Sequence, residues 1–487
     1  MNGYFKYMKP ISRPVSNTQM HAPSSINQKF QLVYKQRDRY FILEQHSGMF
    51  LEFTKEAYNQ LLLNKSTNEK IVSSQITDEF DILTKSGAFD PIDRLAEDSK
   101  TKIQSLNINI SEKCNLACRY CFAEQGHYKQ TATVMTKEKL KRIIDQATYA
   151  LSEGESLNVI LFGGEPLLRK DLVVFAIRYA DDLQQRRGIR LIIDIFTNLT
   201  LLDDEIVNLL NSRENIRLLV SIDGPPEIND NNRKFCDGRK TSDVIEGKAK
   251  LLYGIARNRV VVRATLTEKK PKLVEKVRYF QQLGLTNISF DVAYCEQAKG
   301  IPSAKYLLAG LQSELRELGN YLCVQLKRGV ELNVNLLSEP ISQILSNNKT
   351  RYVPQCPGGR QYLAVDANGD IYPCHFFVGH KKYRIGNILL DGVAFKNMST
   401  DNGNMDLSKS AYGRCPECVF NAICEGPCPN KELLIFPREN GVITELCSMI
   451  RLRYIEALRI LSIIYDSDYW PYLQEWERIV RKSSNGD

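Results

Sequence analysis

The chain has 487 residues, of which 43% are hydrophobic and 25% are charged, and its formal net charge is +8. This length predicts several domains, and the composition excludes a globally disordered chain. No apolar run approaches the roughly 20 residues that span a bilayer, so a membrane protein is excluded as well. The lysines and arginines are scattered along the chain, which argues against nucleic-acid binding. The N-terminus lacks the apolar centre of a secretion signal, so a cytoplasmic location is expected.

The N-terminal region predicts a small separate module. Three short apolar stretches between residues 29 and 53 predict three antiparallel strands, and two helices are predicted near 54–64 and 76–87. A charged linker, residues 94–102, follows them. We therefore expect residues 1–98 to form a winged-helix-like α+β module.

From residue 105 the sequence alternates between strand-like and helix-like runs. This alternation predicts a parallel sheet covered by helices. The six strand-like runs are 105–110, 158–162, 190–197, 217–222, 259–267 and 287–293. Six units are too few for a closed eight-stranded barrel, so we expect an open, partial (β/α)6 barrel over residues 99–300. In such folds the chemistry gathers at the C-terminal ends of the strands.

Helical periodicity is clear in three further places. A helix that begins near Thr136 carries an apolar face made of Leu140, Ile143, Ile144, Ala147 and Leu151. Residues 301–350 predict one or two bridging helices. An amphipathic run after Cys447 predicts a C-terminal helix, within 451–487, that packs against the core.

Ten of the thirteen cysteines fall into two groups, one between Cys114 and Cys121 and one between Cys356 and Cys447. In a chain without a secretion signal, grouped cysteines bind metal or do chemistry more often than they form disulfides. Structural zinc takes four ligands, whereas the first group offers only three. The other three cysteines, Cys236, Cys295 and Cys323, are expected to be small buried apolar residues.

The first group, "CNLACRYC", supplies Cys114, Cys118 and Cys121 and resembles the CxxxCxxC motif of the radical S-adenosylmethionine (SAM) enzymes. The resemblance implies that the three cysteines hold a 4Fe–4S cluster whose fourth iron binds S-adenosyl-L-methionine. One electron from the reduced cluster then yields a 5′-deoxyadenosyl radical that abstracts hydrogen from a carbon atom. The aromatic residue of the motif, Tyr120, would flank the adenine; otherwise it is an ordinary core aromatic.

Four further motifs follow the second to fifth strands in the order that this family shows. In "LFGGEPLL", Gly163 and Gly164 would let the backbone approach the methionine part of the cofactor, and Glu165 would accept a hydrogen bond from its amino group. The alternative is a glycine turn with a solvated glutamate. The remaining candidates for the cofactor or substrate pocket are Asn198, Ser221, Asp223 and Arg263, the last of which would otherwise be a salt-bridge residue.

The second cysteine group resembles the SPASM extension of these enzymes and occupies residues 351–450. By that resemblance two auxiliary 4Fe–4S clusters accompany the first. Cys415, Cys418, Cys424 and Cys447 would ligate one of them. Cys356, Cys374 and Cys428 would supply three ligands to the other. Either the distant Cys295 completes that cluster, or a site stays open to a substrate thiolate. A zinc ribbon is the alternative, although seven thiolates do not divide into four-coordinate zinc sites.

These resemblances predict an enzyme similar to the radical SAM maturases of ribosomally made peptides. The expected product is a thioether or carbon–carbon crosslink in a precursor peptide, whose leader would pair with a sheet edge of the N-terminal module. A flavodoxin or ferredoxin would supply electrons. One alternative is an anaerobic sulfatase-maturating enzyme that forms formylglycine. The other is a non-catalytic zinc-binding adaptor. No spacing of histidines or carboxylates identifies a general acid or base.

Overall fold

A computed structural model describes most of the chain between residues 103 and 390, together with shorter segments on either side. The described residues are 5–6, 30–36, 39–44, 50–53, 55, 103–128, 134–255, 257–293, 304–345, 356–390, 418–420, 422–424, 426–428 and 444–464.

The N-terminal strands form an antiparallel sheet with the order β1-β4-β3-β2. Its strands are β1 (Phe5–Lys6), β2 (Phe30–Gln36), β3 (Arg39–Glu44) and β4 (Phe50–Phe53). The three predicted strands are therefore confirmed, and β1 is an addition that the sequence pattern did not indicate. Phe41 and Phe50 stack with ring centroids 5.2 Å apart, which fixes the face that this sheet buries. The two helices expected near 54–64 and 76–87 fall outside the described residues.

The six strands expected between residues 105 and 293 are all present and pair in chain order as a parallel sheet. They are β5 (Ser105–Ser111), β6 (Ser156–Gly163), β7 (Arg190–Thr197), β8 (Ile216–Ser221), β9 (Val260–Leu266) and β10 (Asn287–Val292). In β8 and β9 buried residues alternate with partly exposed ones, because one face packs on helices and the other faces the barrel interior. The sheet does not close, so the open barrel is confirmed.

Both edges of this sheet carry additional strands. A short β11 (Asn333–Val334) pairs parallel with β10. On the opposite edge β12 (Tyr362–Val365) pairs parallel with β5, and β13 (Asp370–Tyr372) and β14 (Gly386–Asn387) continue it antiparallel. The sheet thus runs from the barrel into the segment of the second cysteine group. The division into 1–98, 99–300, 301–350, 351–450 and 451–487 remains a proposal.

Nine helices are assigned within the described ranges. They are α1 (Lys137–Thr148), α2 (Lys170–Arg187), α3 (Asp204–Ser212), α4 (Pro226–Asn232), α5 (Ser242–Ala249), α6 (Leu273–Gln282), α7 (Ala304–Lys327), α8 (Asn335–Leu345) and α9 (Thr444–Ile464). Among these same helices, none is long and apolar enough to cross a bilayer.

Helix α1 begins where the sequence predicted, because the Thr136 hydroxyl caps it by accepting a hydrogen bond from the Lys139 amide. Its predicted apolar face is buried, although Leu151 lies beyond the last helical residue. Helices α7 and α8 confirm that residues 301–350 contain the one or two helices expected there. Helix α9 buries Ala457, Leu458 and Leu461 against them, so the expected docking helix is confirmed. It begins at Thr444, before Cys447 and not after it, and residues 465–487 lie outside the described residues.

Candidate active site

A cavity of about 250 Å³ lies among the C-terminal ends of the barrel strands. Most of the site residues expected from the first cysteine group and the strand motifs line it. They are Cys114, Cys118, Tyr120, Cys121, Gly163, Gly164, Asn198, Ser221 and Arg263. Two expected residues, Glu165 and Asp223, are fully buried directly behind the lining. Parallel strands end at the same edge of a sheet, which is why motifs far apart in sequence meet here.

The loop that carries the first cysteine group is fixed by two glycines, Gly163 at the end of β6 and Gly164 directly after it. The Gly164 amide donates to the Ser111 carbonyl at 2.7 Å, and the Glu165 amide donates to the Lys113 carbonyl at 2.9 Å. Gly163 has a φ of +133°, a backbone conformation that favours glycine. A Cβ on Gly164 would lie 2.2 Å from the Lys113 carbonyl oxygen. Only glycine allows the loop to approach the strand this closely.

The thiols of this loop lie in a desolvated environment. Burial raises the pKa of Cys114 to about 11 and that of Cys118 to about 12. Their protons must leave when iron binds, since the thiolate is the ligand. Within the described ranges, no three His, Cys, Asp or Glu side chains are grouped closely enough to hold a single metal ion. In an iron–sulfur cluster each thiolate binds a different iron, so the three thiols need not meet at one point. Three partly buried cysteines on one loop, none of them in a disulfide, therefore fit a cluster.

Glu165 connects the glycine turn to the end of β7. Its Oε1 accepts hydrogen bonds from the Leu167 amide at 2.9 Å and from the Thr197 hydroxyl at 2.8 Å. Its Oε2 accepts one from the Asn198 amide at 2.7 Å. Burial raises the pKa of this carboxyl to about 7, although the three hydrogen bonds lower it. The solvated-glutamate alternative is wrong, because the side chain is fully buried.

Asn198 is oriented by its neighbours toward the cysteine loop. Its Nδ2 donates to the Asn115 Oδ1 at 2.8 Å and lies 3.8 Å from the Cys114 sulfur. Its Oδ1 accepts hydrogen bonds from the Thr200 amide and hydroxyl. The amide group is therefore fixed in one orientation beside an expected cluster ligand.

The Asp223 carboxylate organises the opposite side of the loop. It accepts hydrogen bonds from the Tyr120 hydroxyl at 2.7 and 3.0 Å, from the Thr265 amide at 2.9 Å and from the Asn232 Nδ2 at 3.1 Å. Burial raises the pKa of Tyr120 well above its usual value, so the phenol stays protonated and donates. Asp223 thus supports the cavity from behind and positions Tyr120.

Arg233 is a site residue that sequence reasoning missed. Its Nε lies 3.2 Å from Asp223, its guanidinium lies 5.2 Å from the centre of the Tyr120 ring, and its Nη1 lies 3.8 Å from the Cys118 sulfur. The side chain is almost fully buried, yet it lines the cavity. No sequence spacing links it to the cysteine loop. The link is a backbone pairing, in which the Ala117 amide donates to the Lys234 carbonyl at 2.8 Å.

The far side of the cavity is polar. Arg263 on β9 donates from Nη1 to the Ser289 hydroxyl at 2.6 Å, and it pairs in register with Ser221 on β8. Asp291 at the end of β10 lines the same side. A guanidinium, a carboxylate and a hydroxyl on neighbouring strands suit a ligand that carries both an amino and a carboxylate group.

The second cysteine group is described in part. Burial is the largest cause that raises the pKa of Cys374, and the nearby Cys428 and Cys356 thiols raise it further. These three sulfurs therefore lie close together, as expected. Cys418 lies 3.8 Å from Nη2 of Arg451, one helical turn after Cys447 on α9. Cys424 belongs to the described residues as well, whereas Cys295 and Cys415 do not. These ligand sets remain a prediction.

Two of the cysteines outside the groups can be compared with expectation. Cys323 is partly buried against the core. Cys236 is exposed, so its assignment as a buried apolar residue is wrong. Its amide donates to the Asn115 carbonyl at 3.0 Å, which places it over the first cysteine loop.

The turn after β13 brings the second cysteine group to the same cavity. His375 and Phe376, directly after Cys374, line the cavity together with Phe122, directly after Cys121. The Tyr362 hydroxyl and His375 Nδ1 share a hydrogen bond of 2.7 Å. Sequence reasoning missed His375 and Phe376. The pairing of β12 with β5 carries these two residues to the barrel, and no local sequence pattern predicts that pairing.

Comparison with known proteins assigns the chain to a superfamily. The radical SAM superfamily profile matches residues 108–268, and the SPASM iron–sulfur cluster-binding domain profile matches residues 356–419. The chain therefore contains a radical SAM domain followed by a SPASM domain. The zinc-binding adaptor is therefore wrong. This radical SAM enzyme uses a 4Fe–4S cluster with S-adenosyl-L-methionine, and auxiliary clusters in the SPASM domain.

The curated relatives include maturing enzymes. The chain is 26% identical to a cysteine-type anaerobic sulfatase-maturating enzyme of Clostridium perfringens, over 65% of this chain and 86% of the relative. It is 28% identical to a serine-type anaerobic sulfatase-maturating enzyme of Bacteroides thetaiotaomicron, over 66% of this chain and 81% of the relative. It is 24% identical to the mycofactocin maturase of Mycolicibacterium smegmatis, over 69% and 82%.

Solved structures support the fold. The structure of anSMEcpe with bound AdoMet has a TM-score of 0.62 and 20% identity, covering 77% of this chain and 98% of that one. The structure of anSMEcpe with AdoMet and the Cp18Cys peptide has a TM-score of 0.61 and 21% identity, covering 74% and 98%. At this identity the likeness shows that the fold is shared.

Proposed function

We propose that this radical SAM enzyme modifies a ribosomally made peptide, and that the product is a thioether between a cysteine sulfur and a carbon of the same peptide. One observation carries the proposal: residues directly after Cys121 and directly after Cys374 line one cavity. A substrate there would contact the first cysteine group and the residues next to Cys374 of the second group. Relatives named as maturing enzymes, and a fold shared with a peptide-bound anSMEcpe structure, support a peptide substrate.

The bound cofactors would supply a carbon-centred radical. The chain supplies orientation. We propose that the polar side of the cavity, formed by Arg263, Asp291 and Ser221, holds the charged groups of the methionine portion. Glu165 Oε2 accepts one hydrogen bond from the protein, whereas a carboxylate oxygen can accept two. This capacity supports its proposed role as acceptor for the cofactor's amino group. Tyr120 would flank the adenine.

The N-terminal module is proposed to bind the leader of the substrate peptide. Among the described strands, β2 pairs on one side only, with β3. An extended peptide can add to such an edge through backbone hydrogen bonds, and pockets beside it then read alternate side chains. This reading predicts that deleting residues 1–98 raises KM for a full precursor peptide more than for its core segment alone.

A flavodoxin or ferredoxin is proposed as the electron donor. The segment from Lys234 to Lys240 lies over the first cysteine loop, and its tip is exposed. Lys234 and Lys240 face each other in an antiparallel bridge. Like charges in directly opposed positions destabilise a strand pair. The pairing of Lys234 with Lys240 therefore does not stabilise the fold. A basic surface beside the cluster suits an acidic redox partner.

Since reducing partners and iron–sulfur chemistry belong to a reducing compartment, we infer that the enzyme is cytoplasmic. None of the cysteines in the described ranges forms a disulfide, as is usual in a reducing compartment.

Formation of formylglycine in a sulfatase is the second candidate, and the sulfatase-maturating relatives favour it. Mass spectrometry of a peptide co-expressed with the enzyme separates the two. A thioether removes two hydrogens from the peptide and blocks alkylation of its cysteine. Formylglycine made from cysteine loses the sulfur and leaves an aldehyde that reacts with hydrazides. An aldehyde product, or an unmodified peptide beside active cleavage of S-adenosyl-L-methionine, would contradict the thioether proposal.

A further inference from the structure

One wall of the cavity is made of aromatic side chains. These are Phe122, Phe162, Phe196, His375 and Phe376, and all five line the cavity. Phe122 and Phe376 have ring centroids 4.6 Å apart, and His375 and Phe376 have centroids 4.3 Å apart. Phe162 joins them to the barrel, at 5.2 Å from His375 and 5.0 Å from Phe196. The rings form one continuous surface that we call the aromatic wall.

Three separate parts of the chain build the aromatic wall. Phe122 follows the first cysteine loop, Phe162 and Phe196 project from β6 and β7, and the other two belong to the turn after Cys374. The hydrogen bond that the Tyr362 hydroxyl and His375 Nδ1 share orients the His375 ring on the SPASM side of the wall. The wall therefore spans the space between the two cysteine groups.

The aromatic wall is not covered by the protein itself. Phe122 keeps 37% of its surface exposed, and the other four side chains are partly exposed. Phe162 and Phe196 stand on strands whose neighbouring residues are buried, so their exposure comes from the cavity alone. Leaving apolar rings in contact with water is unfavourable, and folding does not require it here. A ligand with an apolar group would remove these rings from water.

The two sides of the cavity differ in chemistry. Arg263, Asp291 and Ser221 form the polar side, which suits the charged groups of the cofactor. The aromatic wall contains no Asp, Glu, Lys or Arg side chain, so it suits an uncharged, flat or branched apolar group. Its position between the cysteine groups is where a carbon to be modified would have to lie.

We propose that the aromatic wall is a subsite for an apolar side chain of the substrate peptide, preferably phenylalanine or another aromatic residue, next to the position that is modified. The inference rests on the proposed peptide function and names its substrate class. Phe122 and Phe376 are the specificity-determining residues, because they form the closest phenylalanine pair of the wall and belong to its two opposite sides.

The test measures binding to anaerobically reconstituted full-length enzyme and needs no turnover. The probe is N-acetyl-phenylalanine amide, followed by saturation-transfer NMR, with the corresponding alanine and lysine amides for comparison. We expect the phenylalanine amide to bind about tenfold more tightly than either. Phe376→Ala should abolish this preference and Phe376→Leu should reduce it in part. The control is Phe175→Ala, which removes a ring that stacks on Tyr179 of α2, away from the cavity.

Iron content is measured for each variant, and the Leu variant keeps the test valid if the Ala variant loses a cluster. Equal binding of the three amides would overturn the proposal, and so would preferential binding of the lysine amide. Two results together would assign the wall to adenine instead. The probe would no longer bind in saturating S-adenosyl-L-methionine, and Phe376→Leu would weaken binding of the cofactor by the same factor as binding of the probe. Failure of the peptide-modification proposal would appear separately, as absent product with probe binding intact.

Discussion

Replacing Gly164 by alanine should displace the first cysteine loop. The new Cβ would lie 2.2 Å from the Lys113 carbonyl oxygen, 2.4 Å from its carbon and 2.9 Å from the Cys114 amide nitrogen. All three are backbone atoms, so no flexible side chain can move aside. The loop must shift, and the backbone hydrogen bonds of 2.7 Å to Ser111 and 2.9 Å to Lys113 are then broken or stretched.

The size of the effect follows from these two hydrogen bonds. Each buried amide left without an acceptor costs about 1–3 kcal/mol, so the Gly164→Ala variant should lose roughly 2–6 kcal/mol of unfolding free energy. Because Cys114 moves with the loop, iron bound after anaerobic reconstitution should fall by about four atoms of about twelve, the content of one 4Fe–4S cluster. Denaturant unfolding of cluster-free protein and iron analysis measure the two effects independently.

A matched control is available in helix α5. A Cβ on Gly247 would meet nothing within 4 Å, and alanine favours a helix over glycine by about 1 kcal/mol. Gly247→Ala should therefore leave iron binding unchanged and raise stability slightly. If Gly164→Ala retained full stability and full iron content, the close approach of the loop to β6 would not be what holds the cysteines.

Three further predictions concern the buried charges and the cluster. Asp223→Asn should destabilise the protein by about 3–5 kcal/mol because it leaves Arg233 buried without its counter-charge. Asp237→Asn, at an exposed ion pair, should leave the melting temperature nearly unchanged, and equal melting temperatures for the two variants would contradict this. The pKa of Glu165 is raised from 4.5 to about 7. This group therefore adds roughly 3 kcal/mol to the unfolding free energy of the cluster-free protein below about pH 4.5, and this contribution should be lost as the pH rises through about 7. Unfolding curves between pH 5 and pH 8 check the sign, and a rise in stability attributable to Glu165 would refute it. Cys118→Ala should abolish release of methionine and 5′-deoxyadenosine while about eight of about twelve irons remain; undiminished release would exclude this cysteine as a ligand of the first cluster.

The secondary structure of the barrel could be predicted from the sequence because its signals are local. The six strands lie where β-branched and apolar runs lie, and α1 begins at the threonine that caps it. The first cysteine loop and the glycine turn of Gly163 and Gly164 were found in the same way, since each is a short motif with fixed spacing. Their meeting at one edge followed from the parallel order of the strands.

Other features depended on contacts between distant residues. Asp223 was grouped with the pocket residues, yet the structure places it behind the lining, where it holds Tyr120. Arg233 reaches Cys118 across 115 positions of sequence. Neither the burial of a carboxylate nor the choice of its partners has a local signal, because both depend on which segments pack together.

The sequence by itself determined the superfamily, the order of the strands and the cysteines available as ligands, because spacing and periodicity act within a few residues. Only the tertiary structure decided that β12 pairs with β5 and thereby carries His375 and Phe376 to the cavity of the first cysteine loop. A strand can add to any open edge of matching length, so its partner is selected by packing over the whole sheet. The aromatic wall exists because of that selection.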